Sequence, residues 1–111
     1  MLKHEFFGEF DLMVLLTIHR LKDDAYGVSL ARAMGVLAGR SVSVGSVYAA
    51  LEKLEAKELV TSRLGEASPE RGGRAKRYFN LTGKGIRAIV ETRALLNELW
   101  SDFPAAQGES A

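Results

Sequence analysis

The chain has 111 residues, 47% of them hydrophobic, which is enough for one domain with a modest core. It contains no cysteine, which excludes disulfides and thiolate metal sites. The net charge of +1 is unevenly distributed: residues 63–87 carry seven Lys or Arg against two Asp or Glu. A solvated surface loop would explain this local excess, and so would an anionic partner.

The first helix is predicted from about Gly8 to Leu21. Its apolar residues lie on two sides, Phe10, Met13, Val14, Thr17, Ile18 and Leu21 on one, and Leu12, Leu15 and Leu16 on the other. A helix that is apolar nearly all round must be covered on more than one face. In so small a chain, a partner subunit can provide the second cover.

The second helix is predicted from about Ala25 to Met34. Asp23 and Asp24 precede it and can act as its N-cap. Gly35 and Gly39 are expected to end it or to loosen its last turn.

A third helix, Ser43 to Lys57, follows a short connection in which Val42 is expected to form a single-bridge strand. Ser43 is the predicted N-cap. The predicted inward face comprises Val44, Val47, Tyr48, Leu51 and Leu54, and the outward face comprises Ser46, Ala49, Ala50, Lys53 and Lys57. Small outward residues allow a helix to approach base edges, whereas Glu52, Glu55 and Glu58, placed toward the flanks and the C-terminal end, argue for an ordinary surface helix.

Two short strands, Leu59 to Arg63 and Lys76 to Leu81, are predicted next, joined by a glycine-rich loop that carries Arg71 and Arg74. A helix that can enter a groove, followed by a basic hairpin that can lie on phosphates, is the outline of a winged helix-turn-helix DNA-binding module. The position of the charge therefore favours an anionic partner, double-stranded DNA.

The last helix is predicted from Gly83 to about Asp102, with Thr82 as its cap. Its apolar seam consists of Ile89, Leu96 and Phe103, with Leu99 and Trp100 adjoining, and a second set comprises Ile86, Val90 and Leu95. Twenty residues at ~1.5 Å each reach ~30 Å, more than so small a domain needs to cover. We therefore expect this helix to form a homodimer rather than to pack only on its own domain.

The order of these motifs resembles that of the PadR family of transcriptional regulators, over about Gly8 to Ile89. The residues that carry the resemblance are Leu12 to Leu16, Asp24-Ala25-Tyr26-Gly27, Ser43 to Leu51 (SVGSVYAAL), Leu54-Glu55, Glu70 to Tyr78 (ERGGRAKRY), Leu81-Thr82 and Gly85. The resemblance implies a mainly α fold with a small β-hairpin: a winged helix-turn-helix at 1–82, a C-terminal dimerisation helix at 83–103 and, from its composition, a disordered tail at 104–111.

The same resemblance, to the short subgroup of the family, implies a homodimeric repressor that acts on palindrome-like operators. The family usually has glycine where this chain has Glu58, so the turn after the third helix must hold a non-glycine residue in a strained or a different conformation. The predicted DNA-binding residues are Ser43, Ser46, Tyr48, Lys53, Arg71, Arg74, Lys76 and Arg77. The predicted dimer interface comprises Leu12, Leu16, Ile89, Leu96, Leu99, Trp100 and Phe103.

Tyr48 has two interpretations, since its spacing places it inward while the family uses this hydroxyl near phosphate. A ring packed inward with its hydroxyl at the rim satisfies both. Trp100 keeps open a ligand-responsive sensor that binds planar aromatic compounds between the subunits, although a lone tryptophan there also fits interface core. A winged helix can also serve as a protein-interaction module without DNA binding.

Other chemistry has little support in the sequence. His4 and His19 are fifteen positions apart, so no metal site or cofactor is expected, and no nucleophile–base or carboxylate pair suggests an enzyme. Acids in the first twelve residues argue against a signal peptide, and the apolar run from Leu12 to Ile18 is too short to span a bilayer. We expect a cytoplasmic protein that does not associate with membranes.

Overall fold

The computed structural model describes residues 6–66 and 75–104. Within them the elements are α1 (Glu9–Leu21), one turn of 3-10 helix (Lys22–Asp24), α2 (Gly27–Ala38), α3 (Val44–Ala56), β1 (Val60–Leu64), β2 (Arg77–Leu81) and α4 (Gly83–Trp100). The mainly helical fold with one β-hairpin, predicted from the sequence, is thereby confirmed. Arg71, Arg74 and most of the predicted tail lie outside the described residues.

The start of α2 differs from the prediction. Asp23 and Asp24 belong to the 3-10 turn and do not cap α2. Instead, the Ser29 hydroxyl accepts a hydrogen bond from the Tyr26 backbone N–H at 3.0 Å and donates one to the Asp24 carbonyl at 2.5 Å. At the other end, Gly39 has a φ of 70° and stops the helix, as expected for glycine after a C-terminal turn.

The hairpin is tied to the start of α2. β1 and β2 are antiparallel, with a register that runs from Val60 opposite Leu81 to Leu64 opposite Arg77. The Phe79 N–H donates to the Ala25 carbonyl at 2.8 Å, and an isolated bridge joins Tyr26 to Tyr78. The predicted bridge at Val42 was therefore wrong, because the segment before α2, not the one before α3, pairs with the hairpin.

The core lies between α1, α2, α3 and the hairpin. Its largest fully buried side chains are Leu15, Leu30, Met34, Leu51, Leu54, Leu59, Val14, Val47 and Val60. On the second side of α1, Leu15 is completely buried within the described structure, whereas Leu16 is 44% exposed. The domain itself thus covers more of α1 than the spacing suggested.

The turn after α3 has the hydrogen bonds of a Schellman motif. The Leu59 N–H donates to the Leu54 carbonyl at 3.0 Å, and the Glu58 N–H donates to the Glu55 carbonyl at 2.9 Å. Glu58 has a φ of 64°, so the strained conformation expected from the missing glycine is present.

α4 begins against this turn. The Thr82 hydroxyl accepts from the Gly85 N–H at 3.0 Å and donates to the Glu58 carbonyl at 2.7 Å. A Cβ at Gly85 would collide with the Leu59 carbonyl oxygen, so a glycine is needed there. Within the described chain, every residue of α4 beyond Leu95 is exposed. None of the described helices has both the length and the hydropathy that a membrane span requires.

Candidate nucleic-acid interface

The orientation of α3 differs in detail from the prediction. Its buried residues are Val47, Ala50, Leu51 and Leu54. Ala50, expected to face outward, is only 2% exposed, whereas Val44 and Tyr48, expected to face inward, are 36% and 41% exposed. At 3.6 residues per turn, the positions opposite the buried side are Gly45, Ala49 and Glu52.

The start of α3 is exposed, and the Ser43 hydroxyl caps it. The Ser43 hydroxyl oxygen accepts a hydrogen bond from the Ser46 backbone N–H at 3.2 Å. Ser43, Gly45 and Ser46 are all exposed. Within the described residues, the Ser43 hydroxyl proton and the exposed Ser46 side chain make no hydrogen bond to the rest of the chain and are available to an external acceptor.

Tyr48 packs its ring on the first turn of α2. A Cβ at Gly27 would collide with the ring carbons of Tyr48, so the absence of a side chain at Gly27 makes room for the ring. The Tyr48 hydroxyl makes no hydrogen bond within residues 6–66 and 75–104. The Tyr48 ring is thus packed on the domain while its hydroxyl remains free. This agrees with the interpretation in which the ring lies inward and the hydroxyl lies at the rim, near phosphate.

Two cationic side chains lie over aromatic rings at the end of the hairpin next to the connecting loop. The ammonium of Lys76 is 4.0 Å from the ring centre of Tyr26, and the guanidinium of Arg63 is 5.0 Å from that of Tyr78. The two rings meet edge to face with their centres 5.6 Å apart. These contacts hold the charges in place by cation–π attraction. Arg63 was not among the predicted site residues, because its partner ring is fifteen residues away in sequence.

Arg77 belongs to a hydrogen-bonded chain that reaches α3. Its Nη1 donates to the Ser62 hydroxyl at 3.1 Å, and that hydroxyl donates to Oε2 of Glu55 at 2.8 Å. Arg77 remains exposed. The chain fixes the orientation of its guanidinium while leaving other N–H groups able to bind an anion.

The ammonium group of Lys53 is paired with an acidic residue of α1. It forms an ion pair with Oδ2 of Asp11 at 2.9 Å. Because the lysine side chain is 62% exposed, the pair contributes only modestly to stability. Among the predicted DNA-binding residues, Lys53 is thus the one that already has an acidic partner in the described structure.

Sequence reasoning missed Arg32 and Arg40, which lie beside the start of α3. They line a shallow groove of about 450 Å³ between α2 and α3, together with Val28, Val36 and Val44. Tyr48, Lys76 and Arg77 line a neighbouring groove that also includes Val28. Lysine and arginine side chains therefore flank the exposed start of α3 on two sides, an arrangement that favours anions.

The exposed end of α4 carries an apolar cluster separate from this surface. Leu96, Leu99, Trp100 and Phe103 line a hollow of about 360 Å³, and the rings of Trp100 and Phe103 meet edge to face at 6.3 Å. Of the other predicted interface residues, Leu16 is exposed and Leu12 is half-buried. Ile89, which we expected to be exposed for a partner subunit, is instead half-buried against the core of its own chain. Ile86 and Val90 are about half exposed.

A metal centre finds no support in the described part of the chain, where no group of three or more His, Asp or Glu side chains could hold an ion. An exposed helix start flanked by basic side chains and a docked β-hairpin defines instead a winged-helix protein of the DNA-binding class.

The sequence model of the PadR-like family of transcriptional regulators matches residues 14–91. The chain belongs to this family, whose members are regulators and not enzymes. No curated protein matches the sequence.

Solved structures share the fold. A PadR-like transcription factor from Bacteroides fragilis is 26% identical, with a TM-score of 0.70, over 83% of this chain and 84% of that one. A PadR family regulator from Eggerthella lenta is 24% identical, with a TM-score of 0.65, over 80% of this chain and 75% of that one. RosR from H. salinarum is 20% identical, with a TM-score of 0.66, over 88% and 81%.

Proposed function

We propose that the protein is a homodimeric repressor that binds a palindrome-like operator through α3, with the hairpin on the flanking phosphates. The observation that carries this proposal is the exposed start of α3. It is flanked by Lys76 and Arg77 on one side and by Arg32 and Arg40 on the other. Contact with chromosomal DNA would place the protein in the cytoplasm.

The first test concerns the hairpin. Each cation that no longer neutralises a phosphate of B-DNA reduces the slope of log K against log salt by about 0.9. Replacing Lys76 and Arg77 together with alanine should therefore weaken binding to all duplexes and flatten the slope by about 1.8. Arg93→Ala, on the exposed surface of α4, is the matched control and should leave the slope unchanged. An unchanged slope in the double variant would show that Lys76 and Arg77, at the loop end of the hairpin, do not contact phosphates.

The second test concerns the start of α3. Ser46→Glu should abolish operator binding because it places a carboxylate where phosphates and base edges approach. The fold should tolerate it, since glutamate at this third helical position can form a capping box with Ser43. Ser46→Gln, which has the same shape without the charge, should retain more binding. Normal operator binding by Ser46→Glu would refute the proposed docking.

The proposed dimer rests on the cluster at the end of α4. Leu99, Trp100 and Phe103 are each about two-thirds exposed, an unusual state for three large apolar side chains on adjacent turns. Pairing of two such ends about a two-fold axis would bury them and set two α3 helices about one DNA turn apart, ~34 Å. The division at residues 82 and 83 into a DNA-binding and a dimerisation part belongs to the same proposal.

Sedimentation tests the dimer directly. The full chain should sediment as a dimer at micromolar concentration, and Leu99→Glu should shift it toward monomer with greatly reduced operator affinity. Leu37→Glu, an equally exposed apolar position on α2, is the control and should stay dimeric. A stable monomer from the unaltered chain would overturn both the dimer and the palindrome.

A second candidate function is ligand sensing at this same cluster. The hollow lined by Trp100 and its neighbours is apolar and large enough for a planar aromatic compound. Quenching of Trp100 fluorescence by such compounds, at about one per dimer and with a change in operator affinity, would support a sensor. A pure protein-interaction module, the remaining alternative, would show DNA affinity that does not depend on salt.

A further inference from the structure

The outermost line of α3 consists of Gly45, Ala49 and Glu52. All three are exposed and lie opposite the buried Val47 and Leu54. The first two have little or no side chain, so the helix backbone can come close to base edges. Glu52 is the first long side chain on this line, about two turns from the helix start.

Within the described residues, Glu52 differs from the other charged side chains of α3 in having no partner. Lys53 pairs with Asp11, and Glu55 accepts a hydrogen bond from Ser62. In the described parts of the chain, the Glu52 carboxylate makes neither a hydrogen bond nor an ion pair. An unpaired negative charge on the proposed DNA-facing line of α3 lowers general affinity for phosphate, so a favourable contact of Glu52 with DNA requires a hydrogen-bond donor rather than a phosphate.

We infer that Glu52 determines operator specificity by accepting a hydrogen bond from the N4 amino group of a cytosine in the major groove. The inference rests on the proposed function. A carboxylate only accepts hydrogen bonds, and in the major groove the donors are the amino groups of cytosine and adenine. Adenine presents its N7 acceptor beside the amino group, which repels a carboxylate and suits an amide instead. Cytosine is therefore the base that Glu52 recognises.

Selection of bound duplexes from random double-stranded DNA tests this inference. The unaltered protein should enrich a motif with a required cytosine. Glu52→Gln should lower the preference for that cytosine by about fivefold to a hundredfold and shift the position toward adenine, since the amide pairs with N6 and N7. Glu52→Ala should leave no base preference at that position. Both variants should bind random-sequence duplex more tightly than the unaltered protein.

Glu91→Gln, which removes an exposed carboxylate from α4, is the matched control and should enrich the original motif. Glutamate, glutamine and alanine all favour helix, so the Glu52 variants should fold normally, which circular dichroism checks. An unchanged motif in both Glu52 variants, with or without a gain in general affinity, would overturn the inference. Failure of the unaltered protein to enrich any motif would overturn the proposed function itself.

Discussion

Replacing Glu58 with glycine should stabilise the protein. Glu58 is the residue just past the end of α3, and its φ of 64° lies in the left-handed region that side chains disfavour. Its side chain is exposed and has no partner in the described residues, while its backbone N–H and carbonyl are both hydrogen-bonded. Glycine would keep the backbone bonds and remove the clash of Cβ.

The magnitude follows from two opposing terms. Left-handed backbone costs an L-residue about 1–2 kcal/mol. Glycine loses more entropy on folding, a cost of about 0.4–1 kcal/mol. The difference spans about 0–1.6 kcal/mol and is centred near ~0.8 kcal/mol, which corresponds to a rise in Tm of about 3–6 °C in a domain of this size.

Thermal and urea unfolding followed by circular dichroism measure this gain. All variants should be compared at one protein concentration, because the proposed dimerisation would add to the apparent stability. Glu58→Ala keeps Cβ and should show no gain. Ala56→Gly, two residues earlier in ordinary helix, should lose about 1 kcal/mol. If Glu58→Gly is no more stable than the unaltered chain, the strain assigned to this turn is refuted.

Three further substitutions have definite expected outcomes. Gly85→Ala should destabilise the fold by about 3 kcal/mol or prevent folding, because its Cβ meets the Leu59 carbonyl oxygen and backbone cannot easily give way. Asp11→Asn should change the free energy of unfolding by less than about 1 kcal/mol. If it tightens DNA binding, Lys53 contacts phosphate once it is released; unchanged affinity would exclude this lysine from the interface. Thr82→Val should cost about 1–2 kcal/mol in urea unfolding through loss of the α4 cap, and an unaffected midpoint would contradict the role of its hydroxyl.

Much of the fold was predictable because its signals are local. Ser43 and Thr82 each precede an apolar helix and cap it, as their position in the sequence indicates. Gly39 ends α2 through its left-handed conformation. Glu58 departs from the family pattern, and the structure confirms the strained turn that this departure implies.

The errors have a different origin, since each depends on contacts between distant parts of the chain. The cap of α2 comes from Ser29 rather than from Asp24, because the approach of the chain to β2 leaves the Tyr26 N–H pointing at the serine. Ala50 is buried because α3 is rotated slightly from the face that its larger apolar residues suggest. The pairing of Lys53 with Asp11 joins residues forty-two positions apart, which no local pattern records.

In the candidate site, too, local signals were predictable from the sequence and contacts between distant residues were not. Residue types and their order indicated the exposed start of α3 and the basic hairpin, but not how the charges are held. Lys76 lies over Tyr26, while Arg77 bonds to Ser62, so both cations are fixed by residues that the sequence alone would assign to packing. Arg32 and Arg40 were overlooked because neither belongs to a motif, and only the packing of α2 beside α3 brings them to the same surface.

The contacts around Glu58 also connect the proposed DNA-binding and dimerisation parts. Besides the Thr82 hydroxyl on the Glu58 carbonyl, the Thr82 N–H donates to the Leu59 carbonyl at 3.0 Å, and Nζ of Lys84 donates to the Lys57 carbonyl at 3.0 Å. The turn that follows α3 is therefore joined by three hydrogen bonds to the start of α4. In the proposed dimer, a change in the angle at which two α4 helices pair would change the separation of the two α3 helices. If the protein is the proposed sensor, this junction is the route by which a compound bound at Trp100 would change operator binding.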